Sequence, residues 1–486
     1  AKLCSSRYWE YSSFKEPATF FMALIWASPP TRDTEMPGFT AGITPAVSRL
    51  TASQPAGDIS AYGKIKKKAA LCFGLMSVFL AVAAVLVSWY YSIYMDTPMI
   101  FIGVALLCPN LIFATYEAIY KGISQGSMNM AVTAKASLLE SSAKVVIGIT
   151  SVYLAGTMVK KNAGDAQLIM AFATISICGL ICFVYMHSDF IKRHKDIEEA
   201  DLTITTKTLL SMAIPISASA LTVSIANFFD TVVCLSIVKG ISDYDLMAAY
   251  PFIAFSAEDE KAIWLFGVYQ GLCLSVFNLI PSLSSAVGAS GLPLITRSIN
   301  NADKSQLKQQ TDRLIKITAF LVVPVSLFVA FFPGEVLATL YGDRGPQTAL
   351  ATCFLKYMAP FAILSAFSFP LNSILHASGK SSVILRILLF ACGIKIPLGI
   401  WLCSVERINI MGCIISQTVF YCIVFVLSVI AAKKANPDIS VIPQLIVPVA
   451  VAYLLLTFIR IFADFVLYTV PVAFKTVLCG GIFVVI

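Results

Sequence analysis

The sequence predicts an all-α, polytopic membrane protein of about 13–14 spans gathered into two helical lobes, with its first helix missing or divergent, and three observations predict it. Hydrophobic residues make up 58% of the chain and charged residues 13%, against roughly 25% charged in a soluble domain. Apolar runs follow one another, most of them near or above the roughly 20 residues that a helix rising 1.5 Å per residue needs to cross a bilayer. Lys and Arg collect in the short loops between those runs, as the positive-inside rule requires. That placement accounts for the net charge of +8, so no nucleic-acid partner is expected.

Taken in order, residues 1–36 mix charged and aromatic residues with the apolar run ATFFMALIWA, which is too short to span. Basic residues are sparse ahead of it and no small-residue cleavage site follows, so it does not read as a signal peptide. The chain does not start with Met, and this segment is read as a divergent or truncated amino terminus. From Pro37, PGFTAGITPAVSRLTASQ is rich in small residues and carries Arg49, as the second half of a spanning helix would. The basic loop Lys64–Lys68 follows, then runs near 69–95, 98–120, 136–157 and 166–188. The charged connector DFIKRHKDIEEADLTITTK closes a first lobe, 37–206.

The second lobe, 207–434, opens with a run at 208–238 that carries one acid, Asp230, and a kink residue, Pro215. Runs near 262–296, 316–341, 350–377, 383–403 and 408–432 complete it, and 435–486 holds a carboxyl-terminal pair near 441–462 and 467–486. With the Lys64–Lys68 loop in the cytoplasm, the loops holding Lys192, Arg193 and Lys207, then Arg297 to Lys316, then Lys433 and Lys434 share its side. The other side receives Lys160, Lys161, Lys239, Lys261, Arg344, Arg407 and the acidic cluster between 243 and 260. This bias sets the carboxyl terminus in the cytoplasm.

The 13 Cys are scattered through apolar runs without a CxxC pair and read as small core hydrophobes. With 3 His in the chain no zinc-type metal site is expected, and His194 and His376 read as solvated near loop ends. There is no nucleophile elbow, no HExxH and no soluble domain to hold a catalytic centre, so the chain is not read as an enzyme. GVYQG and GASG lie within spans and lack the strand a phosphate loop needs.

The remaining chemistry lies in charges inside the spans. Glu117 and Lys121 stand four apart on one helix face, and Glu140 and Lys144 repeat the spacing on the next span. Asp230, Lys356, Arg386 and Lys395 add to them. Each costs about 3 kcal/mol at the bilayer centre, so each is expected to meet a partner or water, or to snorkel to the interface. A weak internal repeat relates GISQGSMNMAV with SAKVVIGI to LHASGKSSVIL with GIKIPLGI, setting Lys144 and Gly148 against Lys395 and Gly399. Repeats of this kind mark paired bundles in transporters.

PGFTAGITPAVSRL, YKGISQGSMNM followed by LLESSAKVV, AIPISASALTVSIANFFDTVV and FGVYQGLCLSVFNLIPSLSSAVGASGLPLITR resemble helices of the stage V sporulation protein B and MurJ-like polysaccharide flippases, within the multidrug/oligosaccharidyl-lipid/polysaccharide exporter (MOP) superfamily. The most specific parts are the turn formed by Lys121, Gly122, Gln125 and Gly126, the pair Glu140 and Lys144, and Asp230. The resemblance, from about Pro37 to the end, implies a MATE/MurJ-like fold of fourteen helices. It also implies a flippase that moves a lipid-linked anionic saccharide, with a polyprenyl tail and a pyrophosphate-linked head, across the cytoplasmic membrane by alternating access. Arg49, Lys144 and Lys395 are the candidate cationic grip, with Asp230, Glu140 and Lys121 as further lining residues. No cofactor is expected, though a coupling ion, Na+ or H+, remains open; so do the choice among peptidoglycan, spore-cortex and capsule precursors and the energy source. The chain is expected to act as a monomer among membrane lipids. A drug or cation exporter of the same fold is the rival reading, and a membrane glycosyl polymerase the third. Lys and Arg at least match Asp and Glu within the spans, which favours an anionic cargo.

Overall fold

Within hydrocarbon no water is at hand for a backbone amide, so an apolar run closes its own hydrogen bonds as a helix. The computed structural model follows this rule, and its described elements are helical. It describes residues 40–466 apart from 55–58, 96–97, 159–162, 194–205, 231–233, 243, 245–248, 251–260, 343–344 and 438. Among the described residues 11 helices are long and apolar enough to cross a membrane, and the chain is a polytopic all-α membrane protein. The amino-terminal 36 residues, Lys160, Lys161, His194, Arg344, the acidic cluster between 243 and 260 and the final run at 467–486 lie outside the described residues.

The chain divides into two compact units, with the division at Ser224 and Ile225. The first holds α1 (Ile43–Ala52), α2 (Ile59–Met95), α3 (Pro98–Gly126), α4 (Met130–Met158), α5 (Ala163–Arg193) and most of α6 (Thr206–Phe229). Its α3 packs against α1, α2 and α5. The glycines of the Lys-Gly-x-x-Gln-Gly turn explain how closely α1 approaches. A Cβ on Gly122 would stand 2.9 Å from the Thr44 carbonyl oxygen, and one on Gly126 would stand 2.6 Å from that of Ser48. Small residues four apart let two membrane helices touch backbone to backbone. Ile43, Val47, Ile65, Phe73 and Ile119 fill the core beside that contact. The long apolar side chains of α4, among them Leu138, Val146, Ile149 and Tyr153, point outward and form an exposed apolar face.

The second unit holds the end of α6, then α7 (Leu235–Lys239), α8 (Lys261–Val268), α9 (Leu274–Asn300), α10 (Lys304–Phe331), α11 (Pro333–Tyr341), α12 (Pro346–Met358), α13 (Ala362–Ala377), α14 (Ser381–Cys403), α15 (Met411–Ala435) and α16 (Ile442–Val466). Its core forms where α9 packs on α10 and α13; α14 pairs with α15, and α16 lies along α10. Asp303 caps α10, its side chain accepting from the Gln306 amide at 2.9 Å, the standard means of satisfying an open helix start.

Three runs differ from their sequence reading. The run at 208–238 is α-helical to Phe229, π-helical at Asp230 and Cys234 on either side of the undescribed 231–233, and α-helical again in the short α7. The run at 316–341 breaks at Phe332, where φ is −124° and ψ 47°, because Pro333 cannot donate to the preceding turn and starts α11 instead. The run at 262–296 is α8 and α9 joined by a π-helical turn, Tyr269–Cys273, that takes in the end of GVYQG. Such turns often mark functional positions in membrane helices.

Candidate functional site

A charge inside a span needs a partner, and each unit supplies one buried pair. In the second unit the Lys395 ammonium stands 2.7 Å from Asp230 Oδ2, with side chains 1% and 8% exposed. It also donates to Asn227 Oδ1 at 3.4 Å and lies 5.4 Å from the centre of the Phe420 ring. Asn227 and Asp230 are three residues apart at the end of α6, so both point to one side and meet the lysine of α14. An ammonium between a carboxylate, an amide oxygen and an aromatic face is neutralised without water. Asp230 is enclosed with Lys395 and Asn227 as polar neighbours, and Lys395 points inward to that pair.

In the first unit Lys121 pairs with Glu117 at 2.7 Å, each side chain 7% exposed. Cys182 of α5 donates to Glu117 Oε1 at 2.9 Å. Glu140 of α4 brings a carboxylate oxygen to within 4.8 Å of both Glu117 and the Cys182 sulfur. Glu140 in turn holds Lys144 at 2.5 Å, and this outer lysine side chain is 41% exposed. The two i,i+4 pairs predicted separately therefore form one network of two acids and two ammonium groups. Its inner half is enclosed and its outer half is open.

The environments of Lys144 and Lys395 are unlike, although the repeat expected from the sequence would set them in matching places. Lys144 is exposed beside Glu140, whereas Lys395 is enclosed and in burial and pairing is closer to Lys121. Arg49 is half-buried on α1, the helix that lies against the Gly122 and Gly126 turn. Lys356 and Arg386 are exposed, as snorkelling side chains would be. A groove of about 460 Å³ between α14 and α15 sets Lys380, Arg386 and Lys434 over the apolar surface of Ile387, Phe390 and Leu427, with no carboxylate in its wall.

Sequence reasoning passed over several partners. His187 shares a 2.6 Å hydrogen bond with the Tyr120 hydroxyl, and Lys66 lies 4.6 Å from the Phe190 ring centre. His376 was read as solvated but is half-buried and 2.9 Å from the Ser381 hydroxyl, which tethers it across the turn between α13 and α14. Phe183, His187 and Phe190 of α5 recur at helical spacing, a pattern that could have pointed to one shared face.

The structure is a multi-pass helical protein that keeps neutralised charge pairs inside both units. Comparison with known proteins finds the following likenesses. The MatE family model matches residues 270–401. Stage V sporulation protein B of Bacillus subtilis (strain 168) is 21% identical over 345 residues, covering 68% of this chain and 61% of that protein. Lipid II flippase MurJ of the same organism is 21% identical over 326 residues, covering 64% and 56%. The matched stretch thus spans about three fifths of the length of these curated relatives. Among solved structures, an outward-facing multidrug resistance MATE family transporter of the MOP superfamily shares the fold with a TM-score of 0.62 at 14% identity, over 87% of both chains. The chain thus shares the fold of MATE transporters and is similar in sequence to a MurJ flippase and a stage V sporulation protein.

Proposed function

We propose that the protein is a flippase that carries a lipid-linked saccharide with an anionic head across the cytoplasmic membrane by alternating access, its carboxyl terminus in the cytoplasm and the single chain sufficient. The observation that carries this reading is the enclosed Lys395 ammonium held between Asp230 and Asn227. In the absence of cargo Asp230 keeps that ammonium neutralised. A pyrophosphate head offers the same lysine a stronger, doubly charged partner, so cargo binding exchanges one anion for another and exposes no bare charge in the bilayer. The cationic groove over Ile387 and Phe390 supports the reading, since a cation rim above an apolar wall suits a lipid with an anionic head. The name of one Bacillus relative, lipid II flippase MurJ, points the same way.

The second reading is a drug or cation exporter, favoured by the MatE match and by the close approach of Glu117 and Glu140, which would suit a cationic ligand. One experiment separates them. The purified protein is placed in vesicles with a fluorescently labelled polyprenyl-pyrophosphate saccharide, and in parallel with a cationic dye. The flippase reading expects lipid translocation that Lys395→Gln abolishes at normal protein level. Dye export without lipid translocation would establish the exporter instead.

A further inference from the structure

Sequence alone reads the cysteines as small hydrophobes, yet three of them meet. Cys234, just ahead of α7, Cys403, the last residue of α14, and Cys413, in the first turn of α15, bring their sulfurs within 4.8 Å of one another. Cys403 and Cys413 are 3.5 Å apart. The three residues are 3%, 0% and 0% exposed. The three thiols come from three separate segments, so helix periodicity does not account for their meeting.

The turn between α14 and α15 holds two of these sulfurs in place. Asn409 sits in the left-handed region at φ 39°. Its side-chain oxygen accepts from the Ile410 amide at 2.6 Å and from the Tyr250 hydroxyl at 2.5 Å, while its side-chain nitrogen donates to the Glu406 carbonyl at 3.1 Å. A Cβ on Gly412 would lie 2.7 Å from the Cys403 backbone nitrogen, so glycine is what lets α15 start against the end of α14. Cys234 arrives against Gly399, where its sulfur would be 3.7 Å from an added Cβ. These contacts fix the thiols by backbone geometry that simple apolar packing does not need.

We propose that Cys234, Cys403 and Cys413 form a binding site for a thiophilic monovalent metal ion, Cu(I). Soft sulfur donors select copper(I) and zinc among biological metals, and the coordination number decides between them. Among the described residues no imidazole or carboxylate joins the three sulfurs. Zinc requires a fourth ligand, whereas three sulfurs about 2.3 Å from one ion in a plane stand about 4 Å apart. Cys403 and Cys413 stand 3.5 Å apart and every pair of the three sulfurs lies within 4.8 Å, so the spacing is close to that value. Each sulfur that binds releases its proton. The site lies beside the turn at 404–410, where α14 ends and α15 begins.

The test uses the full chain, purified in detergent without oxygen and titrated with Cu(I) supplied as its acetonitrile complex against a chromogenic chelator. The proposal expects one Cu(I) per chain beyond what a Cys234→Ser, Cys403→Ser, Cys413→Ser triple variant holds, with three sulfur neighbours by copper X-ray absorption. Each single serine variant should lose at least tenfold in affinity, and Cys72→Ser should lose none. The wild-type chain supplies a measurement free of folding effects: Cu(I) should protect these three thiols from maleimide, read by peptide mass spectrometry. Equal copper uptake by wild type and triple variant, or unchanged labelling, would overturn the site. A Cys403–Cys413 disulfide under mild oxidant, with Cu(I) affinity unaltered by Cys234→Ser, would overturn it in favour of a redox pair.

Discussion

Replacing Asp230 with Asn removes the one formal negative charge paired with Lys395 while keeping shape and an acceptor oxygen. At 2.7 Å and an effective dielectric near 20, the attraction lost is about 6 kcal/mol. Part of it only offsets the desolvation that both groups suffered on burial. What remains after removing one partner of an enclosed pair is about 3–5 kcal/mol of destabilisation, because the other charge stays behind. Asn227 at 3.4 Å is too long a contact to compensate. Asp230→Asn should therefore lower the melting temperature of the purified protein by on the order of 10 °C. Asp230→Leu with Lys395→Met should recover most of that loss, since a well-packed apolar pair often equals a buried ion pair, yet leave lipid translocation abolished. The assay is thermal unfolding in detergent followed by tryptophan fluorescence, with vesicle translocation measured on the same preparations. A melting temperature for Asp230→Asn within 1–2 °C of wild type would show that the pair does not neutralise Lys395 as described. Transport by the double variant would show that the ammonium is dispensable.

Glu117→Gln should cost about 3–5 kcal/mol by stranding the enclosed Lys121, whereas Glu140→Gln should cost under about 1 kcal/mol because solvent screens Lys144; paired melting curves compare the two. Gly126→Val should destabilise the first unit by about 1–3 kcal/mol or more, since its Cβ would meet the Ser48 carbonyl at 2.6 Å, and the loss should appear as faster hydrogen exchange in α1 and α3. Tyr250→Phe leaves the Asn409 oxygen short of one donor and should cost about 1–3 kcal/mol. Limited proteolysis at 404–410 should rise with it, and an unchanged cleavage rate would show that the turn is held by its backbone alone.

Composition and apolar run length determined that this chain is a helical membrane protein, because the bilayer admits few other solutions to backbone hydrogen bonding. The helical spacing of Glu117 with Lys121 and of Glu140 with Lys144 was legible for the same reason: partners four residues apart meet on any helix. A proline or an acid within a long run foretold less. Pro215 lies inside an unbroken α6, while Pro333 divides a run, and the difference depends on the surrounding helices. What tertiary structure alone decided are the meetings between distant segments: Lys395 with Asp230 and Asn227, Cys182 with Glu117, Glu140 beside Glu117, and the three thiols of Cys234, Cys403 and Cys413. Periodicity reports which face of a helix a residue occupies, not which other helix that face meets. That is why Lys144 and Lys395, alike in their sequence surroundings, lie one in the open and one enclosed.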